Sequence, residues 1–145
     1  PLTDGAAAVI VCSEDFAMSR GLQPMARIVS GAVTGCPPDI MGIGPVEATK
    51  KVLERAAWEL GSVDLFELNE AFSSQSMAVI DELGLEPAKV NLDGGAIAIG
   101  HPLGASGARI TGKAASLLSR TDSNRAIATM CIGGGMGIAI ALESL

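Results

Sequence analysis

The stretch from Ala126 to Leu142 constrains the fold more than any other part of this sequence. It carries no charged residue, and its length approaches the roughly 20 residues that a membrane-spanning helix needs. Glycines at 133, 134, 135 and 137 interrupt it. Glycine costs a helix about 1 kcal/mol at each interior position, so a continuous helix is a poor reading. The pattern predicts two buried strands, Ala126 to Met130 and Ile138 to Leu142, closed by a tight glycine turn.

The rest of the chain alternates strand and helix signals. Ala6 to Cys12 is a short apolar run that predicts a fully buried strand. Ser13 fits an N-cap with Glu14 and Asp15 behind it, opening a short helix that Gly21 stops. Met25 to Val33 predicts a strand, followed by a loop rich in glycine and proline. Pro45 suits a first helical position, and Val46, Val52, Leu53, Ala56 and Ala57 mark that helix's apolar face. Val63 to Leu68 predicts a strand leading to a helix with Phe72, Ser76, Val79, Ile80 and Leu83 on one side. Gly94 to Ile99 reads as extended, and Pro102 can open a helix to about Ser119. The fold class that follows is α/β, a mixed sheet covered by helices, in one domain over residues 1–145.

Composition narrows the function. Only 18% of residues are charged and 48% are hydrophobic, with a mean hydropathy of +0.41, against roughly 25% charged in ordinary domains. That excess predicts extensive contact with another domain or subunit. A net charge of −6 argues against a nucleic-acid partner. One Trp, three Phe and no Tyr leave little for base stacking. Cys12, Cys36 and Cys131 have no paired spacing. They predict a reducing compartment, the cytoplasm or an organelle matrix. No signal peptide or membrane span is expected, and the start at Pro1 reads as a cut through a longer protein.

Three places can hold chemistry, and two of them lie in glycine clusters, where glycine lets a ligand approach main-chain N–H groups. His101, the single histidine, sits in Gly100-His101-Pro102-Leu103-Gly104 just before a helix start. The helix dipole there favours the neutral ring, the form that accepts a proton; a structural hydrogen bond is the competing explanation. Cys131 precedes Ile132-Gly133-Gly134-Gly135. Packing is the default account of a free cysteine; the alternative, a thiol beside free N–H groups, is an acid/base group or nucleophile. Asn69-Glu70-Ala71-Phe72 lies at a strand-to-helix junction, where Asn69 can cap the helix or position a water.

Together these segments resemble the C-terminal domain of thiolases from end to end. The pieces that carry the resemblance are Asp4-Gly5-Ala6-Ala7-Ala8, Met41-Gly42-Ile43-Gly44-Pro45, Asn69-Glu70-Ala71-Phe72, Gly94 to Gly107, and Cys131-Ile132-Gly133-Gly134-Gly135-Met136-Gly137. The resemblance implies a two-step acyl transfer between coenzyme A thioesters, either thiolytic cleavage or Claisen condensation of a 3-ketoacyl-CoA. It implies that His101 activates a nucleophilic cysteine and that Asn69 holds a water in an oxyanion hole. Cys131 is then the acid/base thiol, and the N–H of Gly133 is a donor of a second oxyanion hole. Met41, Ala71 and Phe72 match positions lining an apolar substrate channel. No permanently bound cofactor or metal is implied; coenzyme A thioesters enter as substrates.

The family's nucleophile lies in its N-terminal half, and neither Cys12 nor Cys36 has the matching surroundings. The expected partner is therefore an N-terminal thiolase half, within a homo- or hetero-oligomer. Two other functions fit less of the sequence. A non-catalytic CoA-binding or scaffolding module would not need His101, Asn69 and Cys131 together. A 3-ketoacyl synthase of the same fold would be expected to carry a second histidine.

Overall fold

The computed structural model describes residues 3–145. Five helices and four strands follow in chain order: α1 (Glu14–Ser19), β1 (Arg27–Gly35), α2 (Gly44–Ala56), β2 (Leu65–Leu68), α3 (Ser73–Leu83), α4 (Ala96–Ile99), α5 (Leu103–Arg120), β3 (Arg125–Ile132) and β4 (Met136–Glu143). Short 3₁₀ turns at Pro38–Ile43, Leu60–Ser62 and Pro87–Lys89 link them. The strands form one sheet in the order β1-β4-β3-β2. β3 runs parallel to β2 and antiparallel to β4, and β4 is antiparallel to β1. The sheet is thus mixed, as expected.

Both faces are covered. On one, Val46, Val52 and Leu53 of α2 and Val79 of α3 pack on Phe66, Leu68, Ile127, Ala139 and Ala141. On the other, Ile110, Ala114, Leu117 and Leu118 form the stripe of α5 that covers Leu65, Ala126, Ala128 and Leu142. The uncharged Ala126 to Leu142 stretch supplies both faces of the central hairpin, which is why it needs no charge. Its small alanines let helices approach from either side.

The local signals mostly hold. Ser13 caps α1 by accepting a hydrogen bond from the Phe16 N–H at 3.2 Å, and Gly21 takes φ 62°. α2 ends without a glycine: Ala57 sits at φ 55°, ψ 42°. There the Trp58 N–H reaches back to the Leu53 carbonyl at 2.9 Å and the Ala57 N–H to Glu54 at 3.1 Å, a Schellman end. α3 ends the same way with Gly84 at φ 65°.

Three expectations fail. Ala6 to Cys12 is not in the sheet and lies exposed, because the described residues offer it no neighbouring strand. Gly94 to Ile99 is not extended throughout. Ala96–Ile99 form a helical turn, held at its start by the Glu70 carboxylate, which accepts from the Ile97 N–H at 2.9 Å. Asn69 and Glu70 do not open α3, which begins at Ser73 with Phe72 in the cap position; residues 69–72 carry the chain out of the sheet first.

Candidate active site

β2 ends at Leu68, but Asn69 stays bound to the neighbouring strand. Its N–H donates to the Thr129 carbonyl of β3 at 3.0 Å, and the residue is fully buried. The strand's outer edge is closed by Asn91. That side chain accepts from the Leu68 N–H and donates to the Leu68 carbonyl, both at 2.9 Å, imitating a peptide group of a further strand. Asn91 Nδ2 also donates to Glu70 Oε1 at 2.9 Å. Glu70 thereby clasps the Asn91 loop and the start of α4 together, and the chain emerging from α4 delivers His101.

His101 follows Gly100, which adopts φ 92° to turn the chain. The ring lies between two partners. Nδ1 is 2.6 Å from Ser106 Oγ, and Asn69 Nδ2 is 3.3 Å from Nε2 and 3.5 Å from Nδ1. Ser106 Oγ donates to the Pro102 carbonyl at 3.0 Å. Arg109 Nη2 donates to Asn69 Oδ1 at 3.3 Å. Burial pushes the imidazole pKa below its ordinary value, and the Arg109 charge pushes it further the same way. The ring is therefore neutral near pH 7 and able to accept a proton.

Cys131 stands near the end of β3, opposite Gly137 of β4, and is buried. Burial pushes its thiol pKa up, a backbone hydrogen bond acts the other way, and Cys36 adds to the rise. Loss of solvent outweighs the favourable backbone contact at the thiolate. Cys131 rests as the thiol.

The turn after Cys131 is clamped from outside. Gly134 and Gly135 take φ 88° and 89°, which few other residues tolerate. The Cys36 N–H donates to the Gly135 carbonyl at 2.8 Å. A Cβ on Gly137 would strike the backbone of Gly44 at the start of α2. Gly133 is exposed, with open space where a side chain would stand.

Met41 lies in the 3₁₀ turn at Pro38–Ile43, and Ala71 and Phe72 directly precede α3. The two segments meet: a Cβ on Gly42 would stand 2.8 Å from Gln75 Cγ of α3. Phe72 is 65% exposed, and Ile97, Ile99, Leu103 and Met136, neighbours in sequence of the site residues, are exposed as well. The site thus opens on an apolar surface.

The structure joins Asn69 and His101 directly. It joins Cys131 and Gly133 through the hairpin, and ties the two pairs together through the Asn69–Thr129 bond, two residues before Cys131. Sequence reasoning did not find Ser106, Arg109, Asn91 or Glu67. Ser106 and Arg109 are three apart on α5, hence on one helix face, and they begin five residues after His101. Glu67 interrupts an otherwise apolar strand. It is buried at 1% exposure, and burial raises its pKa to about 7, opposed by Arg109 and Lys113 and reinforced by Asp93 and Glu70.

The family model "Thiolase, C-terminal domain" matches residues 22–144. An acetyl-CoA acetyltransferase of Paracoccus denitrificans is 54% identical over 142 residues, covering 98% of this chain and 36% of that protein. A 3-ketoacyl-CoA thiolase of Aeromonas hydrophila is 54% identical over 145 residues, covering 98% of this chain and 38% of that protein. The crystal structure of human mitochondrial 3-ketoacyl-CoA thiolase matches with a TM-score of 0.89 at 48% identity, over 92% of this chain and 34% of that one. This chain spans little more than a third of the length of these relatives. With the family model covering most of its residues and the site motifs in place, the chain belongs to the thiolase family as a C-terminal domain.

Proposed function

We propose that this chain is the C-terminal part of a CoA-dependent acyltransferase, which cleaves 3-ketoacyl-CoA with free coenzyme A or forms it by Claisen condensation. The nucleophilic cysteine comes from an N-terminal half. What carries the reading is the pairing of a buried Asn69 with a neutral His101, one strand away from Cys131, in a chain whose relatives bear acyltransferase names.

In the first half-reaction the partner's cysteine gives its proton to His101 while its sulfur bonds to the acyl carbon. Negative charge gathers on the thioester oxygen, and one well-placed donor is worth roughly 3–4 kcal/mol there. His101 and a water held by Asn69 are those donors. Coenzyme A leaves as a thiolate and takes the proton of Cys131, which rests as the thiol. The Cys131 thiolate then removes the α-proton of the second acyl-CoA. The Gly133 N–H stabilises the oxyanion of this second step: the resulting carbanion attacks the acyl-enzyme carbon, the bond to the nucleophilic cysteine breaks, and that sulfur takes back the proton held by His101.

Met41, Ala71 and Phe72 form one apolar wall of the substrate channel, and the N-terminal half supplies the other. The exposed apolar surface around the site supports an assembly with that half, in a homo- or hetero-oligomer. Among the described residues no helix is long and apolar enough to cross a membrane. The free thiols support a reducing compartment.

Mixing decides the matter. The purified 145-residue chain is expected not to turn over acetoacetyl-CoA, and to gain activity on co-expression with an N-terminal thiolase half. Turnover by the homogeneous chain alone would contradict the reading.

A further inference from the structure

Glu67 is the only fully buried carboxyl among the described residues. Side chains alternate along a strand, and Leu65 and Ala128 both pack beneath α5. Glu67, two residues on from Leu65 and opposite Ala128 in register, points the same way. Asn69 continues that alternation, and Arg109 of α5 meets it, donating from Nη2 to Asn69 Oδ1 at 3.3 Å. The Nε–H of Arg109 leaves the same edge of the planar guanidinium as Nη2, and that fork is rigid. Nε is buried and has no hydrogen-bond partner, and neither has Glu67 Oε1. The first only donates, and an ionised carboxylate only accepts.

The other charges nearby are already engaged. Asp93 is held by Lys113 and Arg120. Glu70 accepts from Asn91 and from the Ile97 N–H. Among the described residues Arg109 makes no ion pair. Burial keeps Glu67 protonated up to about pH 7; Arg109 is the largest opposing influence, with Lys113 behind it, while Asp93 and Glu70 act with burial. We propose that Glu67 is a positioning residue, the counterion that seats the Arg109 fork so that it holds the Asn69 amide in the site. A hydrogen bond to a carboxylate is roughly twice as strong as one between neutral groups. Ionised Glu67 therefore takes the Nε–H and fixes the guanidinium, while the neighbouring nitrogen of the same rigid group keeps Asn69. Neutral Glu67 holds it weakly. Glu67 acts through Arg109 and Asn69 rather than on substrate. The catalytic consequence rests on the acyl-transfer reading; the pairing itself does not.

The full chain, isotope-labelled on arginine, asparagine and glutamate, is titrated by NMR alone and again with an unlabelled N-terminal half. The expected result is one midpoint, near the Glu67 value of about 7, shared by three signals: the Glu67 carboxyl carbon, the Arg109 Nε–H and the Asn69 side-chain amide. The last two are recognised by their loss in Arg109→Lys and Asn69→Asp. In Glu67→Gln, which keeps the shape and removes the charge, the Arg109 and Asn69 signals should no longer move with that midpoint. In the reconstituted protein the same variant should lower kcat above that pH by roughly 10-fold, within the 10²-fold that a 1 Å misplacement can cost, with KM near wild type. It should also flatten the pH profile. Wild-type Arg109 and Asn69 signals that stay still while Glu67 titrates overturn the proposal without any variant having to fold. Signals that move as far in Glu67→Gln as in wild type also overturn it, since the titration then belongs to His101, Asp93 or Glu70. An active Glu67→Gln protein with the wild-type pH profile overturns the positioning role. An inactive mixture of the two halves with the shared midpoint intact would sink the acyl-transfer reading and leave the pairing standing.

Discussion

Ala6 to Cys12 and Ala126 to Leu142 are both uncharged apolar runs built on alanine and isoleucine with one cysteine, and they end in opposite environments. Ile127 is fully buried, with strands on both sides of β3 and helices above and below. Ile10 is 90% exposed. Val9 Cγ1 lies 3.2 Å from where a Cβ on Gly112 of α5 would stand, and Gly5, just before the first stretch, lies against Pro102. That stretch also lies outside the part matched as the thiolase C-terminal domain. Apolar β-branched runs state a demand for burial. Whether it is met depends on strands that must come from elsewhere, and on the proposed assembly the N-terminal half supplies them.

That contrast can be broken by truncating each stretch. Ile127→Ala is expected to destabilise the chain by about 2–5 kcal/mol through lost contacts and a cavity. Ile10→Ala should stay within about 0.5 kcal/mol. Denaturant unfolding of both variants checks this, and repeating it on the assembled protein should make the Ile10 change costly. Equal losses in the isolated chain would mean that residues 6–12 are buried after all.

Glu67 is the polar flaw in the buried sheet, and its titration sharpens what burial costs. Folded, it keeps its proton up to about pH 7; unfolded, it releases it near its ordinary value of 4.5. Between those values the folded state binds more protons, so stability falls as pH rises from 4.5 to 7 and stays lower above. Glu67→Gln should remove this slope and gain up to about 3 kcal/mol at pH 8 relative to pH 5. A slope unchanged in the variant would place the titration on another group.

The smallest expected effect concerns the ends of α2 and α3, which share one motif with Ala57 in one and Gly84 in the other. Ala57→Gly relieves a left-handed alanine and should stabilise by about 0.5–1 kcal/mol. Gly84→Ala should cost a similar amount. A loss in the first variant, read by thermal unfolding, would show that unfolded-chain entropy outweighs the backbone strain.

Most of the fold was legible because its cues are local. The four-glycine break set the β3–β4 hairpin, Ser13 and Gly21 bounded α1, the apolar stripes placed α2 and α3, and Pro102 marked the start of α5. The failures share one cause, contacts distant in sequence. Glu70 reaches across 27 residues to hold Ile97 and makes a helical turn where glycines suggested extension. Asn69 reads as a helix cap only until its bond to Thr129, 60 residues away, is known. At the site, resemblance pointed to Asn69, His101, Cys131 and Gly133. Ser106 and Arg109 showed no motif of their own, and their meaning appears only once α5 sets them against His101 and Asn69.

The two cysteines at the ends of this comparison offer the most direct test. Cys12 lies in the exposed stretch, and Cys131 sits in the buried hairpin beside the site. In the protein reconstituted with its N-terminal half, Cys131→Ser should still form the acyl-enzyme from acetyl-CoA, slowed only by the weaker proton donor for the departing coenzyme A, because His101 and the partner's nucleophile are intact. Exchange of the acetyl α-hydrogens with solvent should fall by roughly 10²-fold or more, the usual size of a lost general base, and condensation should fall with it. Cys12→Ser should leave both steps near wild type. Rapid α-hydrogen exchange persisting in Cys131→Ser would contradict the account and reduce Cys131 to a packed thiol.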